Sequence, residues 1–247
     1  MSRIGRLWNS VIGKKAIVAV TGILMLGFLI LHVVGNLKVF LPDVRPGVPD
    51  VDIYSQFLRT MGEPIFPYSS ALWIVRIVML ISLALHLVCV VQLAQHNRRA
   101  RPIRYRHSRK FEEATIPARA MLYTGSIILL FIGFHLLQFT LGSFDTSRFT
   151  QGAVYANLYR AFQLPGYAAI YVSVMAVIAI HLYHGAWSFF QTLGGDNPDR
   201  NRGLRLFAAV MAAGLFVAFS SVPVSFFAYD MRKPPAQHAL STTPDSR

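Results

Sequence analysis

Five long runs of the chain contain neither Asp nor Glu: about 16–40, 69–95, 118–142, 166–192 and 204–228. At ~1.5 Å of rise per residue, each run exceeds the ~30 Å hydrocarbon core of a bilayer. Each therefore predicts a transmembrane helix with some tilt. Arg76 is the one full charge well inside a run. The connections are an outer segment rich in Pro and Asp (41–68), a basic inner loop, a second outer loop (143–165) and a short inner turn, GGDNPDRNRG. The tail PPAQHALSTTPDSR is polar and Pro-containing, a composition that predicts disorder. The first run is too long for a signal peptide and lacks a small-residue cleavage site in the right place. The predicted architecture is an all-α integral membrane protein. One membrane domain of five helices covers 1–230, and a polar tail covers 231–247.

Composition agrees. Of 247 residues, 54% are apolar and only 14% charged, with a mean hydropathy of +0.45. Soluble domains of this length rarely look so. The net charge of +13 would suit nucleic acid, but the basic residues sit in the connections of a membrane protein. Fifteen fall on inner segments (Arg3, Arg6, Lys14, Lys15, those from Arg98 to Arg119, and Arg200, Arg202 and Arg205), against eight outside. That bias predicts a cytoplasmic N-terminus and an external C-terminus, and no nucleic-acid partner. The inner loop RRARPIRYRHSRK also suits an acidic partner subunit or anionic lipid. The single cysteine, Cys89, excludes an intrachain disulfide and an iron–sulfur cluster, which takes about four thiolates. There is no C-x-x-C-H for covalent haem and no Gly-rich loop for nucleotide or flavin.

The chemistry is carried by histidine. Of eight, His96, His107 and His238 fall in loops or the tail, where solvated surface is the expectation. His32, His86, His135, His181 and His184 lie inside spans one to four, and an ionisable group there is a functional candidate by default. Depth sorts them. His32 lies ~12 Å and His135 ~11 Å from the outer ends of their helices, at ~1.5 Å per residue. From the inner end, His86 lies ~14 Å, His181 ~17 Å and His184 ~12 Å, at the same rise. His32 and His135 thus share an outer level, and His86 shares an inner level with His181 or His184. Two imidazoles per level on different helices predict two bis-histidine haems in a four-helix bundle, with the fifth span outside it. Zinc wants three or four ligands, usually including Cys or carboxylate, and no span supplies an acid.

A weak repeat supports two stacked sites. The first span reads TGILMLGFLILH and the third TGSIILLFIGFH, so Thr21 and Gly22 precede His32 as Thr124 and Gly125 precede His135. Eleven residues at 100° each close about three turns, which puts each Thr on its histidine's face, ~16 Å along the helix. Arg76 is a candidate partner for a haem propionate, since a buried carboxylate needs a charge-assisted hydrogen bond.

KAIVAVTGILMLGFLILHVVGNL, TGSIILLFIGFHLLQF and HLYHGAWSFFQTLG resemble the cytochrome b membrane-anchor subunit of succinate dehydrogenase and fumarate reductase, in its five-helix, di-haem form. The similarity covers the membrane domain, roughly 12–229. It implies His32 and His135 as ligands of a distal b haem, and His86 with His181 as ligands of a proximal one. The family's fourth-span ligand stands thirteen residues before the glycine that ends the helix, as His181 stands before Gly194. His184, one turn away, would then donate to a propionate or a water. The resemblance also implies an iron–sulfur subunit and a flavoprotein subunit as partners. It implies a quinone acceptor, menaquinone for a di-haem anchor, and a bacterial cytoplasmic membrane. Some fumarate-reducing members carry a glutamate near the fourth-span ligand. The corresponding AVIAIHLYH has none, which favours succinate oxidation.

A quinone carbonyl needs a donor within ~3 Å. Glu63 is the one outer-side glutamate, and Asn36, Lys38 and Tyr68 stand at nearby helix ends, so these four are the expected quinone residues. The competing expectations are an anchor for another respiratory enzyme, such as a hydrogenase or formate dehydrogenase, and a non-redox membrane protein whose histidines only hydrogen-bond.

Overall fold

The computed structural model describes residues 5, 8–99, 116–192, 194–195, 197–229 and 231–234. Most of the basic inner loop, with His107 and the docking surface expected there, lies outside the described residues. So do Arg3, Arg6 and the tail beyond 234, with His238.

Among the described residues, seven α-helices are delimited in order: α1 (Val11–Leu37, extended by a 3-10 turn, Lys38–Phe40), α2 (Asp50–Thr60), α3 (Ser70–Arg99), α4 (Ile116–Phe139), α5 (Val154–Phe162), α6 (Pro165–Thr192) and α7 (Pro198–Ala228). No strand occurs among the described residues. The five long helices run to 24–31 residues, so even the shortest, at ~1.5 Å per residue, reaches ~36 Å and spans a bilayer core. The chain is a multi-pass, all-α membrane protein.

Local chemistry sets the helix starts. Ser10 caps α1 by accepting from the Gly13 N–H at 2.9 Å. Asn197 caps α7 by accepting from Arg200 N–H at 2.8 Å, with Pro198 at the first turn, where its missing N–H costs nothing. These caps start α1 and α7 earlier than the runs that lack Asp and Glu, at Val11 and Pro198 instead of 16 and 204.

The two connections expected on the outer side are not plain loops. α2 and α5 are short amphipathic helices that lie across one end of the bundle, called here the capped end. Their buried positions repeat at helical spacing: Val51 and Ser55 on α2; Tyr155, Leu158 and Phe162 on α5. They pack with Val39, Tyr171, Val222 and Phe226 into the largest buried cluster of the protein. The Asp52 carboxylate on α2 accepts from the Tyr155 N–H at 2.8 Å, so one short helix caps the other. Arg232, just beyond α7, ties in the first connection by an ion pair with Asp43 at 2.8 Å.

α1 packs along α3, α4 along α6, and α6 along α7, with α1 also touching α6 and α7. The outward faces stay apolar, as Ile74, Ile77, Leu80 and Ile81 of α3 and Leu129 and Leu130 of α4 illustrate. Lipid tails accept such faces, which water would not.

Candidate functional site

The inner pair is built from two copies of one arrangement. On α1, the Thr21 hydroxyl is buried and donates to the Ile17 carbonyl at 2.7 Å. Its oxygen also lies 3.0 Å from Nδ1 of His86 on α3. A hydroxyl has one hydrogen, and with that hydrogen on the helix carbonyl the ring nitrogen is the donor of this contact. In that tautomer the lone pair of His86 is on Nε2. On α4, the Thr124 hydroxyl donates to the Ala120 carbonyl at 3.0 Å and lies 3.1 Å from Nδ1 of His181 on α6. The same accounting leaves Nε2 of His181 free.

The glycine after each threonine has its own part. A β-carbon on Gly22 would stand 3.6 Å from Cε1 of His86, and one on Gly125 would stand 3.4 Å from Cε1 of His181. Alanine would just touch the ring, and anything larger would push it away. The repeat is thus a Thr-Gly seat for an imidazole. It serves the histidine of the neighbouring helix and not, as spacing along one helix suggests, the histidine eleven residues on. The two seats thus hold His86 of α3 against α1 and His181 of α6 against α4 in equivalent ways.

Nearer the capped end, His32 of α1 and His135 of α4 meet edge to face, their ring centres 5.9 Å apart at 84°. Nδ1 of His135 lies 3.2 Å from the Tyr171 hydroxyl, which donates to Oε1 of buried Gln138 at 2.8 Å. Again the oxygen's proton is committed elsewhere, so Nδ1 of His135 donates and Nε2 stays bare. Phe131 and Phe139 close around the His135 ring. Phe28 stacks on His32 at 5.3 Å, and Phe219 leans on it at 5.8 Å. Tyr171 and Gln138 had no place in the sequence expectation, although a tyrosine and a glutamine inside apolar spans were the available signal.

His184 differs from His181. Its Nδ1 is buried with no hydrogen-bond partner, and its ring sits edge-on to Trp187 at 5.9 Å. Trp187 in turn donates to Asn201 at 3.1 Å and carries the Arg205 guanidinium 4.3 Å above its ring. Arg76 lies over Trp73 at 5.0 Å, towards the capped end of α3. Two of the four expected quinone residues are bonded within the chain. Lys38 is engaged by Asp50 at 2.7 Å, and Asn36 donates to the His32 carbonyl at 2.7 Å. Glu63 and Tyr68 are exposed on the turn between α2 and α3.

Among the described residues, no three of His, Cys, Asp and Glu converge as a metal cluster. The donor set is instead two pairs of imidazoles in an apolar bundle. The 5.9 Å between the ring centres of His32 and His135 is of the order that two metal–nitrogen bonds of about 2 Å would span. No family model, curated protein or solved structure matches the chain.

Proposed function

We propose that the chain is the membrane-anchor cytochrome b subunit of a succinate:quinone oxidoreductase and holds two non-covalent b haems. The observation that carries this reading is the repeated commitment of Nδ1. Three intramembrane histidines, His86, His135 and His181, each set Nδ1 within 3.0–3.2 Å of a hydroxyl oxygen, an arrangement that, with the hydroxyl's own proton on another acceptor, keeps Nε2 for a ligand. A histidine that only stabilises packing has no reason to present a bare nitrogen to hydrocarbon.

In this reading His32 and His135 hold the distal haem, and His86 and His181 the proximal one. A haem held by two imidazoles supplies reversible one-electron transfer, which side chains lack. The protein's own part is orientation and exclusion. Thr21, Thr124 and Tyr171 fix the tautomer and turn of each ring, and their acceptor oxygens raise the basicity of the ligating nitrogen. Phe28, Phe131, Phe139 and Phe219 keep water from the capped-end pair. His184, with its unpartnered Nδ1, is the group that can donate to a propionate or a water.

The reading places an iron–sulfur subunit and a flavoprotein subunit on the cytoplasmic side, with the N-terminus cytoplasmic and the capped end outside. Flavin and dicarboxylate chemistry belong to those partners, and electrons leave this chain to a quinone, menaquinone by the family resemblance. Movement of charge across the membrane field, worth ~2.3 kcal/mol per 100 mV, would assist a low-potential acceptor. A pyridine haemochrome assay on the purified chain tests the reading and should return two b haems. One haem or none would remove it in favour of a non-redox bundle.

A further inference from the structure

Between the end of α4 and the helices α5 and α6 lies a cavity of about 160 Å³. Phe139, Phe149 and Tyr167 give it flat apolar walls, and Phe144 and Leu164 form an exposed apolar rim. Gly142, at φ +66°, lets the Phe149 ring pack where any β-carbon would collide.

The polar groups of the cavity carry both signs of charge. Arg160, on α5, is oriented by donating to Oδ1 of Asn157 at 2.8 Å. Asp145, on the connection after α4, accepts from the Ser147 hydroxyl at 3.3 Å. Both line the cavity, yet among the described residues neither belongs to an ion pair. A guanidinium and a carboxylate that share a cavity without neutralising one another suit an occupant that brings both charges itself. Gln138 adds a donor. Its Oε1 is taken by the Tyr171 hydroxyl, which leaves the amide N–H groups for an occupant.

Position narrows the class. α4 ends at Phe139 and α6 begins at Pro165, so the cavity sits where the spans emerge from the hydrocarbon. Phospholipid head groups lie at that level, with their tails turned back towards the bilayer core. The volume is that of about five waters at ~30 Å³ each, enough for a phosphate with a short amine arm.

We propose that the cavity binds the head group of an aminophospholipid, with the chemistry of phosphatidylethanolamine. The phosphate accepts from Arg160 and the Gln138 amide, and the primary ammonium donates to Asp145 beside the aromatic walls. The acyl chains leave across Phe144 and Leu164. Phosphatidylglycerol sets no cation against Asp145. The trimethylammonium of phosphatidylcholine is bulkier and has no N–H to donate. The site uses none of the intramembrane histidines, so it stands or falls apart from the electron-transfer reading.

The test is native mass spectrometry of the full-length chain in detergent, titrated with phosphatidylethanolamine, phosphatidylcholine or phosphatidylglycerol of identical acyl chains. One phosphatidylethanolamine per chain is expected, held about tenfold more tightly than the other two, as one charge-assisted hydrogen bond allows. Equal retention of the three, or tightest retention of either of the others, overturns the proposal. Asp145 is exposed, so Asp145→Asn should leave the fold intact and remove the preference for ethanolamine over choline. Arg160→Gln should weaken all three lipids. An unchanged preference in the first variant, or unchanged retention in the second, overturns the proposal equally. Glycerophosphoethanolamine, the head group without tails, should displace the lipid only at far higher concentration. Displacement at equal concentration would make this a site for a soluble ligand and overturn the assignment to a lipid.

Discussion

The two imidazole pairs are held in different ways. On the inner level each Nδ1 meets a threonine whose proton closes back on its own helix, at 2.7 Å from Thr21 to Ile17 and 3.0 Å from Thr124 to Ala120. This device needs only one helix to be formed and a neighbour packed against it. At the capped end the oxygen is Tyr171, and its proton goes to Gln138, one turn from His135 on the same helix α4. That relay requires α4 and α6 in register, and the cover of α5 above them, before any of its bonds exist. The threonine-seated level is therefore held by local contacts, and the capped-end level by a network that spans two helices.

Removing the ligands is the largest perturbation. His135→Ala should abolish the haem of the capped-end pair and spare the other, as read in reduced-minus-oxidised spectra. His181→Ala should do the converse, and His184→Ala should keep both. A haem lost from the His184 variant but retained in the His181 variant would exchange their roles.

Tyr171→Phe should come next, because it leaves both Nδ1 of His135 and Oε1 of Gln138 buried without this partner. Each such group costs about 1–3 kcal/mol. The variant should lower thermal stability in detergent and move the midpoint potential of one haem only. Equal movement of both potentials would break the separation of levels. Thr124→Val preserves the shape of the seat and strands a single donor, so its effect should be smaller. By the usual cost of losing a ligand's hydrogen-bond partner, haem affinity at His181 should fall about 10–100-fold, with the capped-end haem untouched. A competition assay with apomyoglobin measures this.

The smallest effect is expected at Asp52, outside the spans. Burial pushes its carboxyl above the ordinary carboxylate range, against the opposing pull of the Tyr155 and Val154 N–H groups. A raised folded-state value means that this site's stability is fully present below the unfolded value of ~3.9 and is lost as pH rises through the raised one. Asp52→Asn keeps the acceptor for Tyr155 and removes the charge. Melting curves of the variant should fall less between pH 4 and 7, a range spanning roughly the carboxylate titration. An unchanged slope would mean that Asp52 does not couple α2 to α5 in this way.

Much of this was legible in the chain. Apolar runs without Asp or Glu marked the five spans, because lipid tolerates unpaired charge poorly and each run is long enough to cross. Counting residues from their ends sorted His32 and His135 from His86, His181 and His184. The Thr-Gly repeat was visible as well, but its use was not. Periodicity relates residues on one helix, whereas Thr21 meets His86 and Thr124 meets His181 across helix interfaces. α2 and α5 escaped notice because segments of eleven and nine residues, broken by Pro and Asp nearby, are helical only once they have a bundle end to cover.

What the sequence by itself determined is the solvent of each segment, since hydropathy is a property of the residues alone. It determined the depth of each histidine too, since rise per residue is constant. Only the tertiary structure decided which oxygen meets which ring nitrogen, and so which nitrogen is left bare. It also decided that Gln138 faces both Tyr171 and a cavity. Such contacts depend on how helices are rotated against one another, and that rotation is set by packing of whole faces that no single segment encodes.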